Sequence, residues 1–490
     1  MNNIQLNEKT NVMHSYKCDN EVENVAEANL YRDIFPYTEI PKVVFDNKNI
    51  PMNMPKDVWI TDTTFRDGQQ SMSPFTVEQI LTIFDYLHKL DNGSGIIRQS
   101  EFFLYTEKDR EAVEKCIERG YEFPQITAWI RANKEDFKLV KNMNIKETGI
   151  LMSCSDYHIF KKLNLTRQQA MEKYLEIAEE ALANGIIPRC HLEDITRADY
   201  FGFVVPLVRR LMELSAKANM PVKIRACDTL GLGVCHDGAA LPRSVKQIMH
   251  GFTHYCNVPS EWIEWHGHND FYSVVPNSTT AWLYGCAGIS STLLGIGERT
   301  GNCPLEAMIV EYGQLKGSIK NMDLTVLTDI ATLFEKDLGY QIPHKTPFVG
   351  SDFNVTKAGI HADGILKDEE IYNIFDTGKI LNRPVVVAVN EYSGLAGIAA
   401  WINTFFRLTD DKKINKRDPR VITVKEWVDE QYADGRTSVI GNDELEKIVK
   451  LTFEELSDDK KVEVIDYKVC KSKRGTFRSV QDKNLETSKR

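Results

Sequence analysis

From residue 58 onward the chain alternates between two hydrophobic periods. Short runs rich in β-branched and aromatic residues give way to stretches with apolar positions three and four apart. Eight short runs fall at 58–65, 96–104, 123–130, 147–154, 186–195, 221–229, 261–270 and 288–298. Between them lie helical stretches such as TVEQILTIFDYLHKL (76–90) and TRQQAMEKYLEIAEEALANG (166–185), the second ending on the helix stop Asn-Gly. Strand and helix taking turns implies parallel strands. Eight such units in about 240 residues is the arithmetic of an α/β fold of the (β/α)8 TIM-barrel type. A doubly wound open sheet is the alternative. It calls for a glycine-rich phosphate loop after the first strand, and TDTTFRDGQQ is not one.

The rhythm is absent at both ends. Residues 1–55 are polar and proline-dotted, and read as an extension that packs against the rest. The barrel is assigned to 56–322. Beyond it, LTDIATLFEKDLG, NEYSGLAGIAAWINTFFRL and DELEKIVKLTFEEL carry a helical period, so 323–490 is read as a mostly helical C-terminal region.

Composition narrows the setting. Apolar residues make up 42% of the 490 and charged residues 27%, an ordinary globular mix. The net charge of −10 argues against a general nucleic-acid binder, which shows a basic face. The basic stretch KVCKSKRGTFRSV reads as a solvated end. Ten scattered cysteines without a CxxC pair indicate reduced thiols. No apolar leader and no membrane-length apolar run are visible, so a cytoplasmic protein is expected.

In a parallel barrel, chemistry collects at the C-terminal ends of the strands. Those ends are polar here, while the strand bodies read as apolar. Strand 1 ends in Thr64, Arg66, Asp67 and Gln70, strand 2 near Glu101, strand 3 at Arg131 and strand 4 at Ser153 and Ser155. Strand 5 ends in His191, Glu193 and Asp194, and strand 6 in Asp228 and Thr229. Strand 7 carries His266 and His268, and strand 8 leads into GIGERTGN with Glu298, Arg299 and Asn302. Positions i and i+2 of a strand share a face, so His266 and His268 point the same way. By itself HxH also occurs on ordinary strand surfaces. Joined by Asp67 from strand 1, it makes a mixed N/O site for a divalent metal. Such a site leaves positions open for a 2-oxo acid, and Arg66 beside it can stabilise a developing alkoxide. No cysteine pair accompanies the histidines, which argues against a zinc finger.

Four motifs, DTTFRDGQQ (62–70), HGHND (266–270), GIGERTGN (295–302) and GIHADG (359–364), together resemble the metal-dependent Claisen-condensing barrel enzymes. That family includes the 2-isopropylmalate, homocitrate and citramalate synthases. Its wider superfamily holds acyl-CoA lyases and biotin-dependent carboxyltransferases. The resemblance spans about residues 57–410. It implies Asp67, His266 and His268 as metal ligands, with Asn302 at a fourth metal-side position. It implies Arg66, Glu193 and His361 as catalytic groups, and Gln70, Glu101 and Thr229 along the substrate pocket. It also implies Mn2+, Co2+ or Mg2+, with Zn2+ as a further option, acetyl-CoA as co-substrate, and a homodimer whose C-terminal regions complete shared sites.

Within the family, the extension, the phrase WITDTTFRDGQQSMSPFT and the chain length most resemble members that use oxaloacetate, and that resemblance implies oxaloacetate as acceptor. Its distal carboxylate needs a cationic or donor partner, for which Arg131, Arg98 and Gln99 are candidates. 2-Oxoisovalerate, 2-oxoglutarate and pyruvate are the alternative acceptors. Residues 411–490 show no ββα pattern of a leucine-binding regulatory domain, so leucine control is not expected. A carboxyltransferase would need a catalytic lysine at a strand end. A lyase would need a cysteine in a glycine-rich loop, and Cys303 stands instead at the start of a helical stretch.

Overall fold

A computed structural model of the chain describes residues 4–7, 12–15, 21–356, 359–406, 408 and 412–456. The basic stretch near the C-terminus lies outside the described residues. The chain divides into two compact units. One comprises Met1–Asn354 with Asp376–Pro384, the other Val355–Phe375 with Val385–Arg490.

The first unit is built on a closed barrel of eight parallel strands. They are β1 (Trp59–Asp62), β2 (Ile97–Phe103), β3 (Gln125–Ile130), β4 (Glu147–Ser153), β5 (Ile187–Glu193), β6 (Lys223–Asp228), β7 (Ile263–Gly267) and β8 (Gly288–Ser291). Each pairs with the next, and β8 pairs with β1 to close the ring, Gly288 opposite Trp59 and Ser291 opposite Asp62. The strands are shorter than the β-rich runs, chiefly at their C-terminal ends. The polar residues there leave the ladder and turn over the barrel mouth; Gly68–Ser71, for instance, is a 3-10 turn.

The helices start where local chemistry satisfies their free N–H groups. Val77–Asp91 and Arg167–Ala183 begin after Thr76 and Thr166, each a capping box with a glutamine three residues on. The second helix stops at Asn184, and Gly185 follows at φ +69°, a conformation that costs glycine nothing.

The barrel lumen departs from the expectation of apolar strand bodies. Arg189 on β5 donates to Glu101 on β2 at 2.5 Å and to Glu147 on β4 at 2.9 Å. Arg225 on β6 donates to Glu101 at 2.9 Å and lies 2.7 Å from Glu264 on β7. Lys223 closes onto Glu147. Bonds between β2 and β6, strands on opposite sides of the ring, run across the lumen. A charged residue alternating with apolar ones reads as solvent-facing in an open strand. In a closed barrel that face is the interior.

The extension packs on this unit. Tyr31, Ile34, Phe35 and Val44 bury against Leu232 and Ala240 beyond β6. Arg243 ties it down by donating to the carbonyls of Pro41 (3.2 Å) and Lys42.

The second unit is mostly helical where described, with Gly359–Lys367, Leu395–Phe405, Pro419–Ala433 and Asn442–Thr452. Trp401, Ile398, Val424, Val428, Leu445 and Val449 form its core. Two strands of two residues each, Val355–Thr356 and Val386–Val387, pair parallel; they are too short to leave a period in the sequence. Among the described residues no helix is long and apolar enough to cross a membrane.

Candidate active site

Asp67, His266 and His268 come together at the C-terminal mouth of the barrel, all buried. The two imidazoles face each other through Nε2 at 3.2 Å. Asp67 Oδ2 lies 3.5 Å from His266 Nε2 and 3.8 Å from His268 Nε2. Ligand atoms bound at about 2.0–2.2 Å to one ion stand at such separations. Burial holds both imidazoles below their ordinary pKa, so they are neutral and carry lone pairs. Burial pushes the Asp67 carboxyl up. Arg66, with the Asn302 amide, outweighs it and holds the group well below the usual carboxylate range. Neutral imidazoles and a carboxylate converging on one point are mutually repulsive without a cation between them. The donor set therefore fits a divalent metal.

Two neighbours complete the arrangement. His266 Nδ1 lies 3.0 Å from Ser290 Oγ on β8, a hydroxyl able to accept an Nδ1 proton and so leave the Nε2 lone pair facing the cluster. Asn302 is antiparallel to His268 and donates through Nδ2 to Asp67 Oδ2. Its Oδ1 is buried without a hydrogen bond, an orphan acceptor that suits a fourth ligand position. The glycines of GIGERTGN make room for it. A Cβ on Gly297 would sit 2.4 Å from Asn302 Oδ1, and one on Gly301, at φ +90°, 2.2 Å from the Gly295 carbonyl.

Arg66 is 8% exposed and held on two sides. Its Nε donates to Glu101 Oε1 at 2.8 Å and its Nη1 to Asp67 Oδ1 at 2.7 Å. The guanidinium lies 5.9 Å from the Trp129 ring centroid. Gln70 is exposed on the 3-10 turn just after Asp67.

Glu193 ends β5 and accepts from Ser153 Oγ, from His158 Nδ1 at 2.9 Å and from Lys162 Nζ at 3.0 Å. Burial raises its pKa, but His158, Ser153 and Lys162 together bring it to about 2. His158 also stands 3.7 Å from Asp194. Thr229 Oγ1 accepts from the Asp194 N–H at 2.9 Å, fixing a residue whose φ is +66°.

Other candidates stand differently from expectation. Glu101 is fully buried, and its oxygens are taken by Arg66, Arg225 and Arg189, so it is a counter-charge of the lumen and not an open pocket wall. Arg131 follows β3 but turns onto Asp136, at 3.0 and 3.2 Å. Arg98 and Gln99 do not reach the metal end of the barrel. They stand at the start of β2, the opposite end of the barrel, where Arg98 stacks 4.4 Å from Trp59 and pairs with Asp57. A cavity opens there, lined by Trp59, Arg98, Lys146 and Lys223, far along the strands from the metal cluster. His361 belongs to the second unit. It is exposed on helix Gly359–Lys367, its ring 4.3 Å from that of Tyr372. Ser290 and His158 are the groups that sequence reasoning missed.

The barrel segment matches a known family. Residues 57–334 fit the HMGL-like family model, and the chain belongs to that family. Within it, the chain is 67% identical over 442 residues to a citrate (Re)-synthase of Clostridium kluyveri, covering 90% of this chain and 98% of the relative. It is 49% identical to a citrate (Re)-synthase of Syntrophus aciditrophicus, over 94% of this chain and 73% of the relative. A 2-phosphinomethylmalate synthase of Streptomyces hygroscopicus is 38% identical, over 88% and 98% respectively.

Proposed function

We propose that the chain condenses acetyl-CoA with oxaloacetate and hydrolyses the resulting thioester, giving citrate and free coenzyme A. The new bond forms on the Re face of the ketone. The observation that carries this is the 67% identity to a citrate (Re)-synthase across 98% of that protein's length. The buried Asp67–His266–His268 cluster supplies the matching chemistry.

A divalent ion held by Asp67, His266 and His268, with Asn302 Oδ1 as fourth donor, supplies Lewis-acid polarisation of the acceptor ketone when bound. Manganese, cobalt, magnesium and zinc all suit the donor set. Arg66 acts beside it. Its Nε and Nη1 are committed to Glu101 and Asp67, which leaves Nη2 to donate to the oxygen as it becomes an alkoxide. His361 takes the methyl proton of the acetyl group, work for which an imidazole is suited near neutral pH. We assign it to the partner copy of a homodimer with shared sites. Gln70 and the Thr229 hydroxyl line the pocket for the acceptor's carboxylate. Glu193, ionised at neutral pH, serves as a proton or hydrogen-bond acceptor and not as an acid. Arg131 meets the distal carboxylate of oxaloacetate by exchanging Asp136 for it.

The test measures thiol release from acetyl-CoA with oxaloacetate, 2-oxoisovalerate, pyruvate and 2-oxoglutarate in turn. Carbon-labelled acetyl-CoA then shows which arm of citrate carries the label. Oxaloacetate is expected to give the fastest turnover, with the label in the arm formed by Re-face attack. Turnover fastest with another acid, or label in the opposite arm, overturns the proposal.

A further inference from the structure

The stretch immediately after the metal motif holds an unusual residue. Tyr272 has φ +57°, the left-handed region that bulky side chains avoid. Tyr31, Leu294, Phe348, Arg299 and Lys320 share that conformation, but Tyr31 and Leu294 are buried and the other three side chains are anchored, Phe348 on the Phe353 ring, Arg299 on Asp270 and Lys320 on the Ser94 carbonyl. Tyr272 is 92% exposed, and its side chain makes no hydrogen bond or ring contact among the described residues. Its neighbour Phe271 is 42% exposed.

The backbone beneath is fixed from several sides. The Asn269 N–H donates to Gly301 O at 3.0 Å, and the Tyr272 N–H to Asn269 O at 3.1 Å. Arg299 grips Asp270 at 2.9 and 3.2 Å and donates to Thr229 O at 2.6 Å. Gly231 lets the segment lie close; a Cβ there would come within 2.8 Å of His268 O. The fold thus forces an aromatic ring into solvent in a conformation that the ring itself does nothing to repay. Strain kept under such restraint marks a working position.

We propose that Tyr272 is a stacking platform for the adenine ring of acetyl-CoA, an inference that rests on the condensing reaction proposed above. Tyr272 is four residues from His268, within about 14 Å of chain from the metal cluster. The thioester must react beside that cluster, which puts this segment within reach of the rest of the co-substrate. A free phenol ring offers the flat face that a purine stacks on, a contact that typically changes affinity about tenfold or more.

The experiment compares wild type, Tyr272→Ala and Tyr272→Phe as full-length proteins. It reads KM for acetyl-CoA, oxaloacetate and S-acetylpantetheine, which lacks the adenine nucleotide, and binding of coenzyme A by calorimetry. Tyr272→Ala should raise KM for acetyl-CoA and Kd for coenzyme A about tenfold, leave KM for oxaloacetate and acetylpantetheine within twofold, and be rescued by phenylalanine. Tyr272→Gly should share the KM defect yet melt at a higher temperature, because the strain is gone. Unchanged coenzyme A affinity in Tyr272→Ala overturns the inference, as does an equal effect on acetylpantetheine. So does a shift only in sedimentation behaviour, which would make the ring a contact between copies. Coenzyme A binding without condensation of any 2-oxo acid would overturn the reaction instead and leave the stacking contact to be read by calorimetry.

Discussion

Glu101→Gln tests the charged lumen. The substitution keeps shape and removes one charge. Four cations (Arg66, Arg189, Arg225 and Lys223) and four carboxylates (Asp67, Glu101, Glu147 and Glu264) are linked through it, so the set is neutral. Three of the four cations lie directly on Glu101, at 2.5 to 2.9 Å. Two effects oppose each other. A neutral amide is cheaper to bury than a carboxylate, which favours the variant. The three guanidiniums stay buried and lose their shared anion, and an Arg–amide contact returns only part of that. Breaking a buried pair from one side costs about 3–5 kcal/mol, so the second effect wins. Against a typical stability of roughly 5–15 kcal/mol that is a large fraction, and it corresponds to a fall in melting temperature of about 5–10 °C. The assay is calorimetric melting of wild type, Glu101→Gln and the charge-balanced pair Glu101→Gln/Arg225→Met, which should recover part of the loss. Burial raises the Glu101 pKa, but Arg225, Arg66 and Arg189 set it well below the ordinary value. Its stabilisation is therefore fully present above the unfolded pKa near 4.3 and is lost as pH falls toward the folded value. A Glu101→Gln protein that melts within 2 °C of wild type at pH 7 would refute the reasoning.

The remaining predictions concern the site. Chelation should abolish thiol release, and Mn2+, Co2+ or Mg2+ should restore it; turnover that survives exhaustive chelation contradicts the metal assignment. Ser290→Ala removes the partner of His266 Nδ1 and should weaken metal binding about 10–100-fold in titrations of the apoprotein, with little change in melting. Gly297→Ala places a methyl 2.4 Å from Asn302 Oδ1 and should likewise lower metal affinity; tight binding would show that Asn302 is not a ligand. His158→Ala takes from Glu193 the strongest of the partners that hold its pKa at about 2, so that pKa should rise and the acid limb of the kcat/KM profile move toward neutral pH. An unmoved limb would detach Glu193 from the rate.

The barrel and the metal cluster were legible because each leaves a local signature. Eight β-rich runs at steady spacing admit few folds, and the two-residue period of a strand already places His266 beside His268. Asp67 follows from the rule that strand ends share one rim. What was not legible depends on closure. Ser290 matters only because β8 lies next to β7 with Ser290 opposite His266, and a serine in a strand announces nothing. Arg189 and Arg225 look solvent-facing until the sheet curls into a ring, and Glu101, expected along the substrate pocket, is drawn inward by them. Arg98 was misplaced for a simpler reason. It is the second residue of β2, and in a parallel barrel that position is fixed at the far rim, whatever its charge.

The pairing of β8 with β1 also has a consequence in time. Asp67 leaves the ribosome about 200 residues before His266, and Asn302 follows later still, which at about 5–20 residues per second separates the donors by tens of seconds. Until the last strand finds the first, the carboxylate and the imidazoles belong to different parts of an open sheet. An ion that needs all of these donors would therefore have no complete site on a nascent chain short of β8, and its capture would mark a completed ring. Occupancy in a cell extract would then count finished barrels, independently of whether any substrate is present.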